Sequence, residues 1–381
     1  MTSMLNKLKT FFSELWRKIS DAFIRPTRKQ KDVYFSILRT VVAVAISLGI
    51  TCIILLFCSK EPLKAISTLF FGPLKSRFWR GEILRGAVPL IFSGVAASLM
   101  IKCGQFNMIG EGAFYVGGLT GAVVAIYLPA SGFISVILSC LAAIIVASVF
   151  GIVPAVLKAK LNVNEFVVSL MLNFVMLWIG MYFLNNFLRD EASGDIATQI
   201  IPESNRFGIL LSGTYLSTGI LVAIAAAILC AVFLYKTKWG YAIRMTGDNK
   251  DFANFSGLNA CGAVIYSQII GAGLGGLGGA VEVLGSMDAR FNWKTLPGYG
   301  FDGFVVAILA GNNPILVPFA ALFLSYLRQG ASLMALQTDV AMELIQVIQA
   351  IIIIIVAGQS FMAKFKNKIF KTKADKEAVK Q

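Results

Sequence analysis

The sequence contains no histidine. That excludes imidazole acid–base chemistry and every His-ligated metal site. Charge is also scarce: Asp, Glu, Lys and Arg make up 14% of the chain, against about 25% in an average soluble domain. Acidic residues are the rarer sign, 20 against 34 basic. No GxxxxGK[ST] phosphate loop occurs, so nothing in the chain points to ATP hydrolysis of its own. A GxSxG elbow, an HExxH pair and paired-carboxylate clusters are absent too, which argues against an enzyme. The six cysteines (Cys52, Cys58, Cys103, Cys140, Cys230 and Cys261) show no CxxC spacing and lie in or beside apolar runs. They read as small buried hydrophobes, not as a disulfide or metal framework.

What the chain does have is apolar length. Of its 381 residues 57% are hydrophobic, and the mean hydropathy is +0.76. Runs of about twenty apolar residues recur, each long enough to cross a bilayer. Lipid leaves only helices or a closed barrel as ways to pair the backbone, and these runs lack barrel alternation. The expected fold is therefore all-α and polytopic, with about nine or ten membrane segments and some discontinuous half-helices. Residues 1–32 form a basic cytoplasmic arm, 33–358 the transmembrane domain, and 359–381 a basic cytoplasmic tail. Within the arm, residues 5–23 have an amphipathic pattern suited to a membrane surface, and equally suited to an ordinary tail. The first apolar run starts near Phe35 behind that arm, which reads as a retained anchor and not as a cleaved signal. The formal charge of +14 crowds into the two ends and the short loops. This is the positive-inside pattern of a protein whose partner is lipid, not a nucleic-acid polymer.

Spans are expected at residues 35–57, 83–101, 112–128, 131–157, 166–187, 208–234, 263–284 and 340–356. The second is kinked or capped near Pro89, and the third and fourth make a hairpin turned at Pro129. Residues 59–82 read as an outer loop, although Lys60, Lys64, Lys75, Arg77 and Arg80 make it basic. Residues 304–327 are interrupted by Asn312, Asn313 and Pro314. To leave both termini inside, this piece must enter and return as two half-spans, an arrangement that marks solute paths in transporters. Residues 189–206, rich in acid, fit the outer face. Gly271, Gly275 and Gly279, four residues apart, suit close approach of another helix.

One stretch between long apolar runs stands out: residues 235–258, YKTKWGYAIRMTGDNKDFANFSGL. It falls on the cytoplasmic side by the charge count. Asp248 stands where a helix N-cap belongs, Phe252 and Phe255 share a face of the short helix that follows, and Gly257 is a natural stop. A short helix showing two phenylalanines outside the membrane reads as a plug for a partner. Single polar residues elsewhere, Asn107, Glu111, Asn173, Gln268, Glu282, Asp302, Glu343, Gln346 and Gln349, are expensive in lipid and suggest a solute path or a helix partner. For Glu111 and Asp302 a place in the headgroup layer serves as well. Glu343, Gln346 and Gln349 read more naturally as a hydrogen-bonded helix seam.

Four blocks go further. Gly104-Gln-Phe-Asn-Met-Ile-Gly-Glu-Gly112 resembles the FNIG-EGQ block of permease subunits of nucleoside-type ABC importers. Glu165-Phe-Val-Val-Ser-Leu-Met-Leu-Asn173 resembles their NE-(I/V)-STLMLN block. Gly298-Tyr-Gly-Phe-Asp-Gly303 with Ala310-Gly-Asn-Asn-Pro314 is similar to their GYGFDGIAVALLG-NNP block. Arg244, Gly247, Asp248, Asn249, Phe252, Ala253, Phe255 and Gly257 lie in the segment similar to their cytoplasmic coupling stretch. Ala113, Lys250 and Asn254 differ from the residues usual there. The ordered set spans about residues 83–356.

The resemblance implies a multi-pass inner-membrane permease of the broader group that also serves ribose-type sugars and branched-chain amino acids. It implies an ABC ATPase subunit, a second permease subunit and an external solute-binding protein, often a lipoprotein, as partners, with no cofactor and no metal. The ATPase would pull on the helix at Asp248–Ser256. Asn107, Glu111, Asn173, Asp302, Asn312 and Asn313 become candidates for the translocation pathway, and Gly271, Gly275 and Gly279 for sliding helix contacts. An ion-coupled secondary transporter using Glu282 or Glu343 is the competing reading from another class; the absence of an evident inverted repeat weighs against it.

Overall fold

The computed structural model describes residues 46, 48–57, 59–128, 132–340, 347, 350 and 351. The basic arm, the basic tail, Glu343, Gln346 and Gln349 lie outside the described residues, as does most of the expected last span. Two units are distinguished: residues 1–54 with 346–381, and residues 55–345. In the first, the described residues are helical. The second carries everything that follows.

Eleven helices are described there: α1 (Pro62–Lys75), α2 (Arg77–Lys102), α3 (Gly110–Tyr127), α4 (Phe133–Leu161), α5 (Glu165–Phe183), α6 (Gly219–Lys236), α7 (Lys238–Asp248), α8 (Lys250–Phe255), α9 (Ala260–Leu284), α10 (Tyr299–Leu309) and α11 (Val317–Gln337). Among the described residues no strand occurs beyond two isolated bridges. Among the described residues six helices are long and apolar enough to cross a membrane: α2, α4, α5 with its π-turn extension to Leu188, α6, α9 and α11. The chain is a multi-pass helical membrane protein.

The helices sort into an inner and an outer set. In α2 every residue from Ala87 to Met100 is buried, and α3 is buried along most of its length. These two, with α9 and α10, pack on one another at the centre. By contrast α4, α5 and α6 expose Ile145, Met171, Trp178 and Leu229, which suits faces meeting lipid. Small residues permit the inner packing. A Cβ on Gly117 would stand 2.2 Å from the Gly276 carbonyl oxygen, so α3 and α9 meet backbone to backbone.

Several expectations need correction. Residues 59–82 are not a loop: Pro62–Lys75 is helical, begun by Pro62 in the first turn, where a missing N–H costs nothing. It packs on α11 and α2, and Arg77 already belongs to α2. Helix α2 runs on through Pro89 instead of being capped there. The segment around Asn312 does turn, with Gly311 and Asn312 in the left-handed region (φ 63° and 57°), but it does not join two half-spans. Helix α10 is short, 11 residues, whereas α11 has 21 and spans by itself. Its apolar pattern continues past Arg328, whose charge is neutralised by Asp302 (2.5 Å), so Leu327 does not mark an end.

Candidate functional site

The corner between α6 and α9 is built by caps. Thr237 is extended, and its hydroxyl accepts the Gly240 N–H at 3.1 Å, which starts α7 immediately after α6 stops. The bend leaves no room for a side chain at Gly240, since a Cβ there would approach the Phe233 carbonyl oxygen to 2.2 Å. Ile243 and Thr246 are the buried face of α7. Arg244 lays its guanidinium over the Tyr235 ring, 5.4 Å from the centroid. Gly247 is pressed against the end of α2: a Cβ would stand 2.1 Å from the Lys102 carbonyl oxygen. The corner is thus seated directly on one of the central helices.

Asp248 is not the cap expected of it. It is the last residue of α7, and Asn249 breaks the helix with extended backbone (φ −159°, ψ 109°). That non-helical conformation turns the side chain onto the next helix, and Asn249 Oδ1 accepts the Phe252 N–H at 3.0 Å. Helix α8 ends at Gly257 (φ 76°), where Leu258 N–H reaches Ala253 O and Gly257 N–H reaches Asn254 O, both at 3.0 Å. This double bond pattern is a Schellman motif. Ala253 is fully buried, while Phe252 is 54% and Phe255 92% exposed.

Below this corner the motif blocks form one hydrogen-bonded unit. Glu165, Ser169 and Asn173 lie four residues apart on one stripe of α5. They receive the backbone N–H groups of Phe106 (3.2 Å), Met108 (2.9 Å) and Gly112 (3.0 Å), and Asn173 Nδ2 returns a bond to Met108 O (2.8 Å). Lys158 holds the second oxygen of Glu165 at 2.8 Å. Asn107 donates to Gln268 Oε1 (2.7 Å) and accepts from the Ile109 N–H (2.8 Å). The Glu111 carboxylate accepts the N–H groups of Gly298, Gly300 and Phe301, at the start of α10. A carboxylate there complements the positive end of that helix. Gly300 must be glycine, since a Cβ would sit 2.3 Å from the Glu111 nitrogen.

Asn107, Glu111 and Asn173 therefore gather around the start of α3, all buried. Asp302 turns elsewhere, to Arg328. Asn312 and Asn313 sit in the α10–α11 connection, where Asn313 Oδ1 accepts the Ile315 N–H at 3.1 Å. In α9, Cβ atoms on Gly271, Gly275 and Gly279 would meet Met100 Cγ at 2.9 Å, Ala113 Cβ at 3.3 Å and Phe114 O at 1.9 Å. Glu165 and Ser169 are functional residues that the sequence reading misses, and Gln268, read as a solute-path or helix-partner residue, is the partner of Asn107. The four-residue spacing of polar groups within an apolar run was the signal that could have found the first two.

At the opposite end of the bundle from α8, the acid-rich segment folds back on the helices. Asn205 bridges the α3–α4 hairpin, donating to Ala125 O (2.8 Å) and accepting from Gly132 N–H (3.0 Å). Lys294 pairs with Asp195 and, with the Ile196 N–H, holds that carboxyl below the usual aspartate range. Asp339 is lowered likewise by the Lys60 N–H and the Ser59 hydroxyl.

Comparison with known proteins places this architecture. Residues 80–357 match the family model described as branched-chain amino acid transport system / permease component. A glucose ABC transporter permease of Haloferax volcanii is 30% identical over 86% of this chain and 88% of its own length. A guanosine ABC transporter permease of Bacillus subtilis is 29% identical over 86% and 96%. A nucleoside ABC transporter permease of Lactococcus lactis is 28% identical over 84% and 90%. No solved structure matches. With the ordered motif blocks tied into one buried unit and the family model covering most of the chain, this protein belongs to the branched-chain amino acid transport system permease family and is an ABC transporter permease subunit.

Proposed function

We propose that this subunit forms half of a nucleoside import pathway, completed by a second permease subunit, driven by a separate ATPase and supplied by an external solute-binding protein. Relatives named for guanosine and for nucleosides support the solute class. The glucose permease of Haloferax volcanii favours a sugar as the second reading. The ATPase would engage α8. The observation that carries this is Phe255, 92% exposed on a helix capped at both ends and anchored by buried Ala253. Its contact with the body runs through Gly247 to the end of α2, so a push on α8 reaches a central helix without an intervening flexible linker.

Lys236, Lys238 and Arg244 favour a cytoplasmic position for this corner, with both termini on the same side, and the acid-rich residues 189–206 favour the outer face. Asn107, Glu111 and Asn173 would then fix the frame that moves, with Asn312 and Asn313 at its hinge. Gly271, Gly275 and Gly279 would supply the contacts along which helices slide.

Replacing Phe252 and Phe255 together by Asp is expected to abolish co-purification with the ATPase. Stability of the permease itself should change by no more than about 0.5 kcal/mol, because neither ring is buried. Undiminished ATPase recovery would refute the docking role. Uptake of labelled nucleoside into reconstituted vesicles should require the ATPase, ATP and the binding protein; uptake of labelled sugar alone would select the second reading.

A further inference from the structure

The largest concentration of charge among the described residues adjoins the buried motif unit, at the helix start that Glu111 caps. Glu82 and Arg85 on α2, Glu282 on α9, Tyr299 and Asp302 on α10, and Arg328 on α11 converge from four helices. Arg85 Nη1 meets Glu82 Oε2 at 3.0 Å, whereas Arg85 Nη2 stands 3.9 Å from Glu282 Oε1, beyond hydrogen-bonding range. Arg328 pairs with Asp302, three residues after Tyr299 on α10, and the Ser325 hydroxyl, one turn before Arg328, donates to Ile83 O at 2.7 Å, which seats α11 beside Glu82 and Arg85. The five charged side chains retain between 12% and 33% exposure, so the cluster is not sealed.

A set of ion pairs whose task is to hold helices together closes on itself, since each unpaired charge costs more than its pair returns. This set does not close. It has three carboxylates against two guanidinium groups. Glu82 Oε1 and Arg328 Nε are buried without a partner, and Glu82 as a whole is only 9% exposed. Buried polar atoms in a native protein are normally satisfied, and ionisable groups within membrane helices face a path or a cavity.

We propose that Glu82, Arg85, Glu282, Tyr299, Asp302 and Arg328 form this subunit's solute-contact site, and that the site suits a neutral solute rich in hydroxyl groups. Hydroxyl groups can donate to the free carboxylate oxygens and accept from the guanidinium groups, bridging the 3.9 Å gap. The Tyr299 ring, fixed against Phe114 at 5.1 Å, offers a flat face for an apolar ring of the solute. An excess of one negative charge disfavours phosphorylated solutes. The proposal rests on the reading of the chain as a nucleoside permease and deepens it.

The test uses the complete transporter in vesicles, with labelled adenosine and its 2′,3′-dideoxy analogue as probes. Glu282→Gln and Arg85→Lys are expected to lower adenosine uptake about tenfold, the size of one lost charge-assisted hydrogen bond. Recovery of the assembled complex and its binding-protein-stimulated ATP hydrolysis should persist. The preference for adenosine over the dideoxy analogue should shrink towards one, an effect that a purely structural role would not produce. Unchanged uptake and preference in both variants would overturn the site, as would loss of uptake in step with loss of assembled complex. Wild-type vesicles that import labelled ribose but not adenosine would overturn only the nucleoside reading; the same variants scored on ribose would then still test the site.

Discussion

At the start of α3, carboxylate and amide side chains are sealed from solvent and committed to backbone N–H and C=O groups; at α8, an aromatic ring is left 92% in the open. Both reverse the usual placement of polar and apolar groups, in opposite senses. Within that unit Asn107, Glu111, Glu165, Ser169 and Asn173 each have a named partner, so a slip of one residue in α3 or α5 would orphan several bonds at once. Outside, Phe255 has no ring contact among the described residues, and the helix caps with buried Ala253 fix its position. Rigidity is concentrated where the motif blocks meet, and an unmet apolar surface is presented where force would enter. The two regions touch through Gly247 and Lys102.

That contrast can be broken at either side. The largest effect is expected from Glu111→Ala, which leaves the N–H groups of Gly298, Gly300 and Phe301, one buried and two partly buried, without an acceptor. At about 1–3 kcal/mol for each buried group left unsatisfied, the loss should prevent recovery of folded protein. Glu111→Gln, which keeps acceptor capacity, should fall in between, as read by thermal unfolding in detergent. Next comes Gly279→Ala, whose Cβ would collide with Phe114 O and push α9 from α3. A loss of about 1–3 kcal/mol is expected from such overpacking. Gly208→Ala, with nothing near its Cβ position, serves as the neutral control.

On the other side of the comparison, Asn249→Ala removes the cap of α8 at a cost of about 1 kcal/mol. Because α8 is short and peripheral, faster amide exchange confined to Phe252 and its neighbours should reveal it while the global melting temperature barely moves. The smallest effect concerns Asp195. Lys294 holds its folded-state pKa below the unfolded value, so its contribution is complete above the ordinary aspartate value of about 3.9 and fades as pH falls through the lowered one. Acidification from about pH 6 to pH 3 should therefore lower the melting temperature slightly less in Lys294→Ala than in the wild type. The exposed position of the pair keeps the difference small.

Helices were legible because their cause is local. Runs such as residues 208–234 overlap the helix that forms, Gly219–Lys236, although residues 208–218 stay outside it, and Asn312 with Gly311 turns the chain where polar residues interrupt an apolar run. Boundaries set by partners were not legible. Pro62–Lys75 looked like a basic loop because its buried side, Leu69 and Gly72, is defined by Gly330 and Leu333 some 260 residues away. Asp248 looked like the cap because Asp and Asn are equivalent candidates by residue type. Which of them takes extended backbone depends on how far α7 runs along the end of α2.

By itself the sequence determined a helical, multi-pass membrane chain with no means of catalysis in view, and it set out the motif blocks in order. Each of those follows from composition, apolar run length or local pattern. Only the tertiary structure decided that Glu165, Ser169 and Asn173 grip the segment around Asn107, that Glu111 caps a helix almost 190 residues away, and that Arg85 faces Glu282 while Arg328 pairs with Asp302. In lipid an unpaired polar group is costly wherever its partner lies along the chain, so the pairing is settled by which helices can approach closely enough, and that is a property of the packed bundle.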